Sequence, residues 1–343
     1  MTRKTTISLP VGKVSLELLE RLLRKYGVLD DRVVVGPRVG EDAAVIDFPD
    51  RYLVVTTDPI TFATEKLGYY ALHINANDLA VRGAIPRWFL ATLLLPEKET
   101  TEEVVEGIFA QIGEACRNMG ISWVGGHSEI TYGLDRPIII GQMLGEVSKE
   151  GLVSTAGAKV GDLIILTKGI PIEGTSIIAR EHRELLKSKG YSEDFLTRAQ
   201  DYLYDPGISV LKEAMLAVKT VKVNSMHDPT EGGLATGLYE LAHAASVGLK
   251  VYGEEISVLP ESRRLLAEFG LDPLGTIASG ALLLTCPPEE ARRLLEEYKG
   301  KGIMASIIGE VRPFEEGLRL VREGKEVPLP FFPRDEIARL FEA

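Results

Sequence analysis

The stretch from residue 36 to residue 95 decides the fold of this chain. Residues 40–46 read Gly-Glu-Asp-Ala-Ala-Val-Ile, residues 56–59 read Thr-Thr-Asp-Pro, and residues 73–84 read His-Ile-Asn-Ala-Asn-Asp-Leu-Ala-Val-Arg-Gly-Ala. The acidic residues follow a glycine or end an apolar run, and they are not scattered among lysines as on a solvated surface. An unpaired buried carboxylate is costly, whereas a hard cation can hold several carboxylates together. The stretch therefore indicates a metal site against a packed core.

The segment 65–83 is predicted to form a helix that carries part of this site. At about 100° per residue, Asn75, Asp78 and Arg82 fall within roughly a 60° arc that borders the apolar stripe. Asn75 and Asp78 would then lie at the edge of a packed face. The alternative is a polar edge that only caps or pairs locally, and for Asp78 alone this alternative stays open.

Both strands and helices are predicted along the whole chain. In the first half, strands are predicted at 33–35, 43–46, 52–56, 87–95, 121–124 and 137–147, and further helices at 14–26 and 101–118. The pattern loosens at 149–161. We therefore predict an N-terminal domain over residues 1–150 and a C-terminal domain over residues 151–343.

The second half is predicted to mix both element types again. Strands are expected at 162–167, 222–226, 249–252, 281–285 and 304–311, and helices at 173–188, 193–203, 207–218, 232–245, 260–269 and 288–298.

Composition excludes several classes of protein. The chain has 343 residues and a net charge of −11, which argues against binding nucleic acid or an anionic membrane surface. It has no apolar run of transmembrane length and no signal-peptide pattern, so a cytoplasmic location is the expectation. The two cysteines, Cys116 and Cys286, are predicted to be small buried residues, because two separated thiols give neither zinc spacing nor a disulfide framework.

The motifs Gly-Glu-Asp-Ala-Ala-Val, Thr-Thr-Asp, Asn-Asp-Leu-Ala-x-x-Gly-Ala, Gly-Gly-His and Asp-Pro-Thr-x-Gly-Gly occur in this order. Together they resemble the aminoimidazole ribonucleotide (AIR) synthase, or PurM-like, superfamily. Its members include AIR synthase, thiamine-monophosphate kinase, selenophosphate synthetase, formylglycinamidine synthase and the dehydratase HypE. The resemblance implies an AIR synthase-like fold of two α/β domains and a homodimer made through strands of the N-terminal domain.

The resemblance also implies ATP and Mg²⁺ as cofactors and a set of site residues. The implied metal ligands are Asp42, Asp58, Asp78 and Asp228, although Asp58 alone could simply end a strand and Asp228 could cap a helix. The implied catalytic residues are Asp228 and His127, and the implied cofactor-binding residues are Gly40, Glu41, Asn75, Asn77, Gly125, Gly126, Gly232 and Gly233. Each glycine pair allows the backbone to approach a phosphate closely, and the second pair opens a helix. For His127 a hydrogen-bonded core position is the alternative.

Three departures separate the chain from individual members. Thiamine-monophosphate kinases have Asp at the place of His127, where selenophosphate synthetases have His. HypE proteins have a C-terminal cysteine, whereas this sequence ends Leu-Phe-Glu-Ala, and no cysteine precedes Cys116 as in selenophosphate synthetases. The motif at residues 227–234 nonetheless resembles the HypE branch most.

The leading hypothesis is an ATP-dependent enzyme of the HypE-like branch that transfers a phosphoryl group to an oxygen of a small-molecule substrate. Such a transfer activates the adjoining carbon for attack or dehydration, and its catalysis is mainly positioning and charge neutralisation. One alternative is a small-molecule kinase whose product keeps the phosphate. Another is a nucleotide-binding accessory protein without turnover.

Overall fold

The computed structural model describes residues 14–26 and 29–341, so the outer ends of the two predicted domains lie outside the described residues. The helices are α1 (Leu16–Tyr26), α2 (Leu67–Ala80), α3 (Glu102–Met119), α4 (Ile172–Glu181), α5 (Arg183–Ser188), α6 (Glu193–Asp201), α7 (Leu211–Thr220), α8 (Gly233–Ala245), α9 (Pro260–Phe269) and α10 (Pro288–Gly300). The strands are β1 (Val33–Val35), β2 (Ala44–Asp47), β3 (Tyr52–Ile60), β4 (Ile85–Pro96), β5 (Ser122–Thr131), β6 (Ile138–Val147), β7 (Leu163–Thr167), β8 (Ser225–His227), β9 (Gly248–Tyr252), β10 (Leu283–Cys286), β11 (Ala305–Arg312), β12 (Leu318–Arg322) and β13 (Lys325–Pro328).

The first sheet comes from residues before position 150 and has the strand order β1-β2-β3-β6-β4-β5. Its neighbouring strands are antiparallel except for the parallel pair β4 and β5. Helix α2 is buried almost all around, since it is apolar on most sides, and it covers one face of this sheet together with α3. This arrangement brings the polar residues of α2 to the strand β3.

The second sheet comes from residues after position 160 and has the order β13-β12-β9-β11-β7-β10-β8. Its pairs are antiparallel except for β9 and β12. The short strand β8 lies at one edge and ends at His227. The edge thus presents the residues that follow β8 towards the first half of the chain.

Apolar packing continues across the predicted domain boundary. One cluster of buried side chains combines residues of β3, α2 and β4 with residues of α4, α6 and α9. The two sheets are therefore separate, but the space between them is partly filled by shared hydrophobic contacts. The boundary predicted at residue 150 falls between the last strand of the first sheet and the first strand of the second, and it stays a prediction.

The predicted two-domain α/β fold is confirmed, with local differences. The strand predicted at 121–124 continues to Thr131 and includes the glycine pair that follows the predicted end. The helix predicted at 173–188 is divided at His182, and the hairpin of β12 and β13 was not predicted. No helix in the described part of the chain is both long and apolar enough to cross a membrane.

Candidate active site

Three side chains from the two halves of the chain converge between the sheets. Asp42 lies just before β2, His227 ends β8, and Asp228 follows His227 directly. One ligand atom from each of the three lies within 4.8 Å of the others. Since Asp42 and Asp228 are 186 positions apart in the sequence numbering, only the packing of the two sheets brings them together.

A fully buried arginine, Arg82, orients the acidic residues before β2. Its Nη1 donates to Glu41, and its Nη2 donates to Asp42 Oδ2 at 2.5 Å and to Thr155 Oγ1 at 2.6 Å. The other carboxylate oxygen of Glu41 accepts a hydrogen bond from Ser154 Oγ at 2.5 Å. Both carboxylate oxygens of Glu41 thus bond to protein groups. These bonds do not favour a role of Glu41 in binding the cofactor, and that role stays a prediction.

His227 links Asp42 to a second carboxylate. Its Nδ1 lies 2.9 Å from Asp42 Oδ2, and its Nε2 lies 2.9 Å from Glu240 Oε2. Burial alone would lower the pKa of His227, but the two carboxylates raise it to about 10. Burial would likewise raise the pKa of Asp42, but His227 and Arg82 lower it to about 2. Asp42 is therefore an ionised carboxylate held in one orientation.

Asp78 lies on α2 and faces the same region from the first domain. It is buried, and its Oδ2 accepts a hydrogen bond from Thr56 Oγ1 at 2.6 Å. Burial raises its pKa well above the usual range, and the carboxylates of Asp58, Asp228 and Asp42 raise it further. The other three predicted metal ligands therefore lie within electrostatic reach of Asp78.

Asp228 is the least satisfied member of this group. The residue is 1% exposed, and neither of its carboxylate oxygens has a hydrogen-bond partner among the described residues. Burial raises its pKa well above the usual range, and the Asp42 carboxylate adds to this effect. A buried carboxylate without a partner is strongly destabilising unless a cation binds it.

The donor set suits a hard cation. Carboxylate oxygens of Asp42 and Asp228 converge beside His227, and Mg²⁺ prefers oxygen ligands. Both ring nitrogens of His227 are already bonded to carboxylates, which leaves oxygens as the available donors. The close pair of Asp42 and Asp228 therefore fits a magnesium ion, and the participation of Asp58 and Asp78 as further ligands stays a prediction.

The two predicted asparagines hold the backbone in place. Asn75 Oδ1 accepts a hydrogen bond from the backbone N–H of Asp58 at 2.9 Å. Asn77 is fully buried; its Nδ2 donates to Ile208 O and its Oδ1 accepts from Val210 N, each at 2.8 Å. Asn75 thus positions a predicted metal ligand, and Asn77 joins α2 to the second domain. Their predicted contact with the cofactor stays a prediction.

Three of the predicted glycines lie at tight backbone positions near the carboxylates. Gly40 has a φ of +82°, and a Cβ there would come within 2.6 Å of a backbone oxygen of α8. Gly232 N donates to Asp335 Oδ2 at 2.6 Å, and Gly233 N donates to Thr230 O at 3.0 Å. Both N–H groups of the second pair therefore bond within the protein, which does not favour the predicted phosphate contact.

The first glycine pair and His127 lie away from the carboxylates of the same chain. All three are exposed residues of the edge strand β5, and His127 Nε2 is 3.3 Å from Glu129. Strand β5 is three strands from β3, which corresponds to about 14 Å. A Cβ on Gly126 would come within 1.9 Å of Ala91 O, so this glycine permits the close approach of β4 and β5. A catalytic role for His127 beside Asp228 of its own chain is not supported by this geometry.

Two cavities border the carboxylate group. Thr57 on β3 lines the first cavity, and Asp58 on β3 lines the second. The first has a volume of about 550 Å³ and the second, which lies between the domains, about 400 Å³. The polar residues of the first are Glu41, Asp42, Thr56, Thr57 and Gln142. The polar residues of the second, here called the interdomain cavity, are Asp58, Thr61, Arg136, Glu173, Thr230, Glu231 and Ser279. A further cavity of about 570 Å³ lies beside β7 and α10, away from this group.

Glu173 is a buried acid in the interdomain cavity. It lies in the first turn of α4, is 3% exposed, and its Oε2 makes no hydrogen bond. Burial raises its pKa to about 7; the nearby Ser279 hydroxyl opposes this, and the carboxylates of Asp335, Asp58 and Glu231 add to it. The cavity thus contains an acid whose environment favours the neutral form.

Two family models together cover most of the chain. The model described as AIR synthase related protein, N-terminal domain, matches residues 40–147, and the model for the C-terminal domain matches residues 159–318. The chain belongs to the AIR synthase-related family. The resemblance stated from the motifs is therefore confirmed.

Individual relatives of this AIR synthase-related protein agree with the HypE-like branch. A hydrogenase expression/formation protein of Methanocaldococcus jannaschii is 29% identical, over 87% of this chain and 88% of that protein. The carbamoyl dehydratase HypE of Azotobacter vinelandii is 30% identical, over 88% of this chain and 84% of that protein. Among solved structures, AaThiL complexed with AMPPCP and TMP has a TM-score of 0.72 at 22% identity, and the match covers 94% of this chain and 97% of that one. The predicted superfamily of enzymes is thus confirmed, and the solved structure supports the fold.

Several residues of this AIR synthase-related site were not predicted from the sequence. Arg82 and His227 were visible only as members of motifs, and neither was assigned to the site. Glu240 and Glu173 carried no signal, because a single acidic residue in a helix is usually solvated. Only the burial of their side chains distinguishes them.

Proposed function

We propose that this protein is an ATP- and Mg²⁺-dependent enzyme of the HypE-like branch, which transfers the terminal phosphoryl group of ATP to an oxygen of a small-molecule substrate. The bond between the terminal phosphorus and its bridging oxygen breaks, a phosphorus–oxygen bond to the substrate forms, and ADP leaves. The main observation behind this proposal is the fully buried Asp228 carboxylate, whose two oxygens have no hydrogen-bond partner among the described residues. The 30% identity to a carbamoyl dehydratase supports the HypE-like branch, and a ThiL protein of the same fold has been solved with the ATP analogue AMPPCP.

Asp42, Asp58, Asp78 and Asp228 would hold the ion. When bound, Mg²⁺ would neutralise the negative charge of the phosphates during transfer. Arg82 and His227 keep Asp42 ionised and oriented, so that one ligand is prearranged before binding. Asn75 fixes the backbone at Asp58 in the same way.

The two cavities offer separate places for the two substrates. The nucleotide would occupy the cavity beside Asp42 and Thr57, and the acceptor would occupy the interdomain cavity beside Asp58. Asp42 lines the first cavity and Asp58 lines the second, so the carboxylates would adjoin both substrates. A cytoplasmic location, a small-molecule acceptor and the absence of nucleic-acid or membrane partners stay predictions.

The metal dependence can be tested with Asp228→Asn and, as a control, the exposed Asp201→Asn. In the wild type and the control, AMPPCP should raise the melting temperature with Mg²⁺ and much less with a chelator, because ligand binding stabilises the folded state. Asp228→Asn should lose most of this Mg²⁺-dependent shift. Without ligands it should melt at or above the wild-type temperature, since a buried acid that is costly to ionise has been replaced by a neutral amide.

Equal AMPPCP shifts with and without Mg²⁺ in the wild type would contradict the proposal, as would an Asp228→Asn variant with wild-type Mg²⁺ dependence.

A screen of small molecules for substrate-dependent ADP release should identify the acceptor. Product analysis distinguishes activation of a substrate oxygen from a kinase reaction, in which the phosphate remains on the product. Nucleotide binding without any substrate-dependent ADP would favour an accessory protein.

A further inference from the structure

The interdomain cavity has an unusual balance of charge for a place that adjoins a nucleotide-binding region. Glu173, Asp58 and Glu231 line it, and Asp335 lies close enough to raise the pKa of Glu173. The cationic side chain in its lining is Arg136, which is half-buried and lies 3.8 Å from the carboxylate of Asp135. An anionic ligand at the buried end of the cavity would therefore meet several carboxylates.

Glu173 Oε2 shares its lack of a hydrogen-bond partner with Asp228 and differs in this from two other buried acids, Asp335 and Glu240. Asp335, which is equally buried, has both oxygens bonded to backbone N–H groups, those of Gly232 and Ile337. Glu240 is bonded to a ring nitrogen of His227. By contrast, Glu173 Oε2 makes no hydrogen bond, although the residue is 3% exposed and lines the cavity. A buried acceptor of this kind is costly unless a ligand supplies the donor.

We infer that Glu173 is a ligand-binding residue that recognises a cationic N–H group, an ammonium or amidinium, of the molecule that occupies the interdomain cavity. A cation satisfies both the unbonded oxygen and the surplus of carboxylates. Apolar residues such as Ile60, Phe62 and Ile277 line the remainder and suit a carbon skeleton. This inference rests on the proposed function only for the statement that the bound molecule is the acceptor of the phosphoryl group.

The inference can be tested with three probes of the same shape: benzamidine, benzamide and benzoate, which are cationic, neutral and anionic. Binding is measured by ligand-observed NMR on the full chain, without nucleotide and with a chelator. The pH is mildly alkaline, so that Glu173 is ionised and benzamidine is still a cation. We expect benzamidine to bind about tenfold more tightly than benzamide, and benzoate to bind most weakly, because hydrogen bonds between charged partners are the stronger ones.

Glu173→Gln keeps the shape of the side chain and removes its charge. It should reduce benzamidine binding about tenfold and leave benzamide binding nearly unchanged. The control is Glu184→Gln on α5, a nearby exposed position outside the cavity, which should preserve the wild-type order. Circular dichroism verifies that each variant is folded, and the order of the three probes on the wild type is informative even without a variant.

Equal binding of the three probes, stronger binding of benzoate, or no binding of benzamidine would overturn the inference. So would a folded Glu173→Gln protein that retains the full preference for benzamidine. Because nucleotide and metal are absent from this experiment, its outcome is separate from that of the Asp228→Asn test. The experiments can therefore refute cation binding at Glu173 while they support the metal site, or refute the metal site while they support cation binding.

Discussion

At the scale of single residues, the buried carboxylates differ in whether the fold supplies partners. Arg82 and His227 overcome the effect of burial on Asp42 and lower its pKa to about 2, so ionised Asp42 stabilises the folded state. Burial raises the pKa of Asp228 well above its usual range and that of Glu173 to about 7. The folded structure therefore tolerates these two acids at neutral pH at a cost, which is the behaviour expected of groups that await a ligand.

The cost at Glu173 predicts a pH-dependent stability difference. Its pKa is about 7 when folded against an ordinary 4.5, so the folded state binds this proton more tightly. The stabilising contribution of protonated Glu173 is therefore fully present below about pH 4.5, and it is lost as the pH rises through 7. The glutamine of Glu173→Gln does not titrate. Above pH 7 the free energy of unfolding of this variant should therefore exceed that of the wild type by about 3 kcal/mol, and the difference should vanish near pH 4.5. Urea unfolding across this pH range measures it.

Glu184→Gln serves as the control for this measurement too, since its exposed side chain should give no such pH-dependent gain. A difference between Glu173→Gln and the wild type that stays constant across the range would contradict the description of Glu173 as a buried acid without a partner.

The aspartates could be predicted from the sequence, whereas their surroundings could not. Asp42, Asp58, Asp78 and Asp228 each stand in a short motif with a glycine, an apolar run or a proline beside it. The partners of Asp42 and the isolation of Glu173 depend on contacts between distant segments, and no local pattern encodes such contacts. A single acidic residue in the first turn of a helix, as at Glu173, is also favoured by the helix dipole alone.

At the scale of elements, β5 shows where a local pattern is misleading. Two adjacent glycines before a histidine are typical of a turn, so the strand was predicted to end at 124. In the structure the strand continues to Thr131, because pairing with β4 along its full length outweighs the low strand propensity of glycine. The same pairing needs a residue without a Cβ where the two backbones approach most closely. The helix α2, whose apolar pattern is local, was by contrast predicted to within three residues at each end.

Gly126→Ala should therefore destabilise the β4–β5 pair. The added Cβ would lie 1.9 Å from Ala91 O. This oxygen belongs to the backbone of β4, which cannot shift as easily as the end of a flexible side chain. We expect a loss of roughly 2–4 kcal/mol in the free energy of unfolding. Gly107→Ala on α3 is the matched control: nothing lies within 4 Å of its Cβ, and alanine should stabilise the helix by up to about 1 kcal/mol. Equal stability of the two variants in urea titrations would contradict the close approach.

At the scale of the whole molecule, the first domain has surfaces that its own helices do not cover. Side chains on one face of β3, such as Thr56, contact α2, so Val55 points to the opposite face. Leu90 and Leu144 lie beside Val55 there and are only half-buried. Strand β5 continues this surface with a long exposed edge. Such an edge favours pairing with another strand.

The homodimer through N-terminal-domain strands stays a prediction, and these surfaces give it a physical basis. At micromolar concentration, light scattering should give the mass of two chains. The double variant Val124→Glu with Ile130→Glu adds two charges to exposed apolar positions of β5 and should shift the protein to a monomer without unfolding it, because neither side chain is buried in one chain. Val160→Glu, at an equally exposed apolar position outside the first sheet, should leave the dimer intact. A monomeric wild type, or a double variant that keeps the mass of two chains, would show that β5 does not form the interface, and the exposed glycines and His127 would then lie on a free surface.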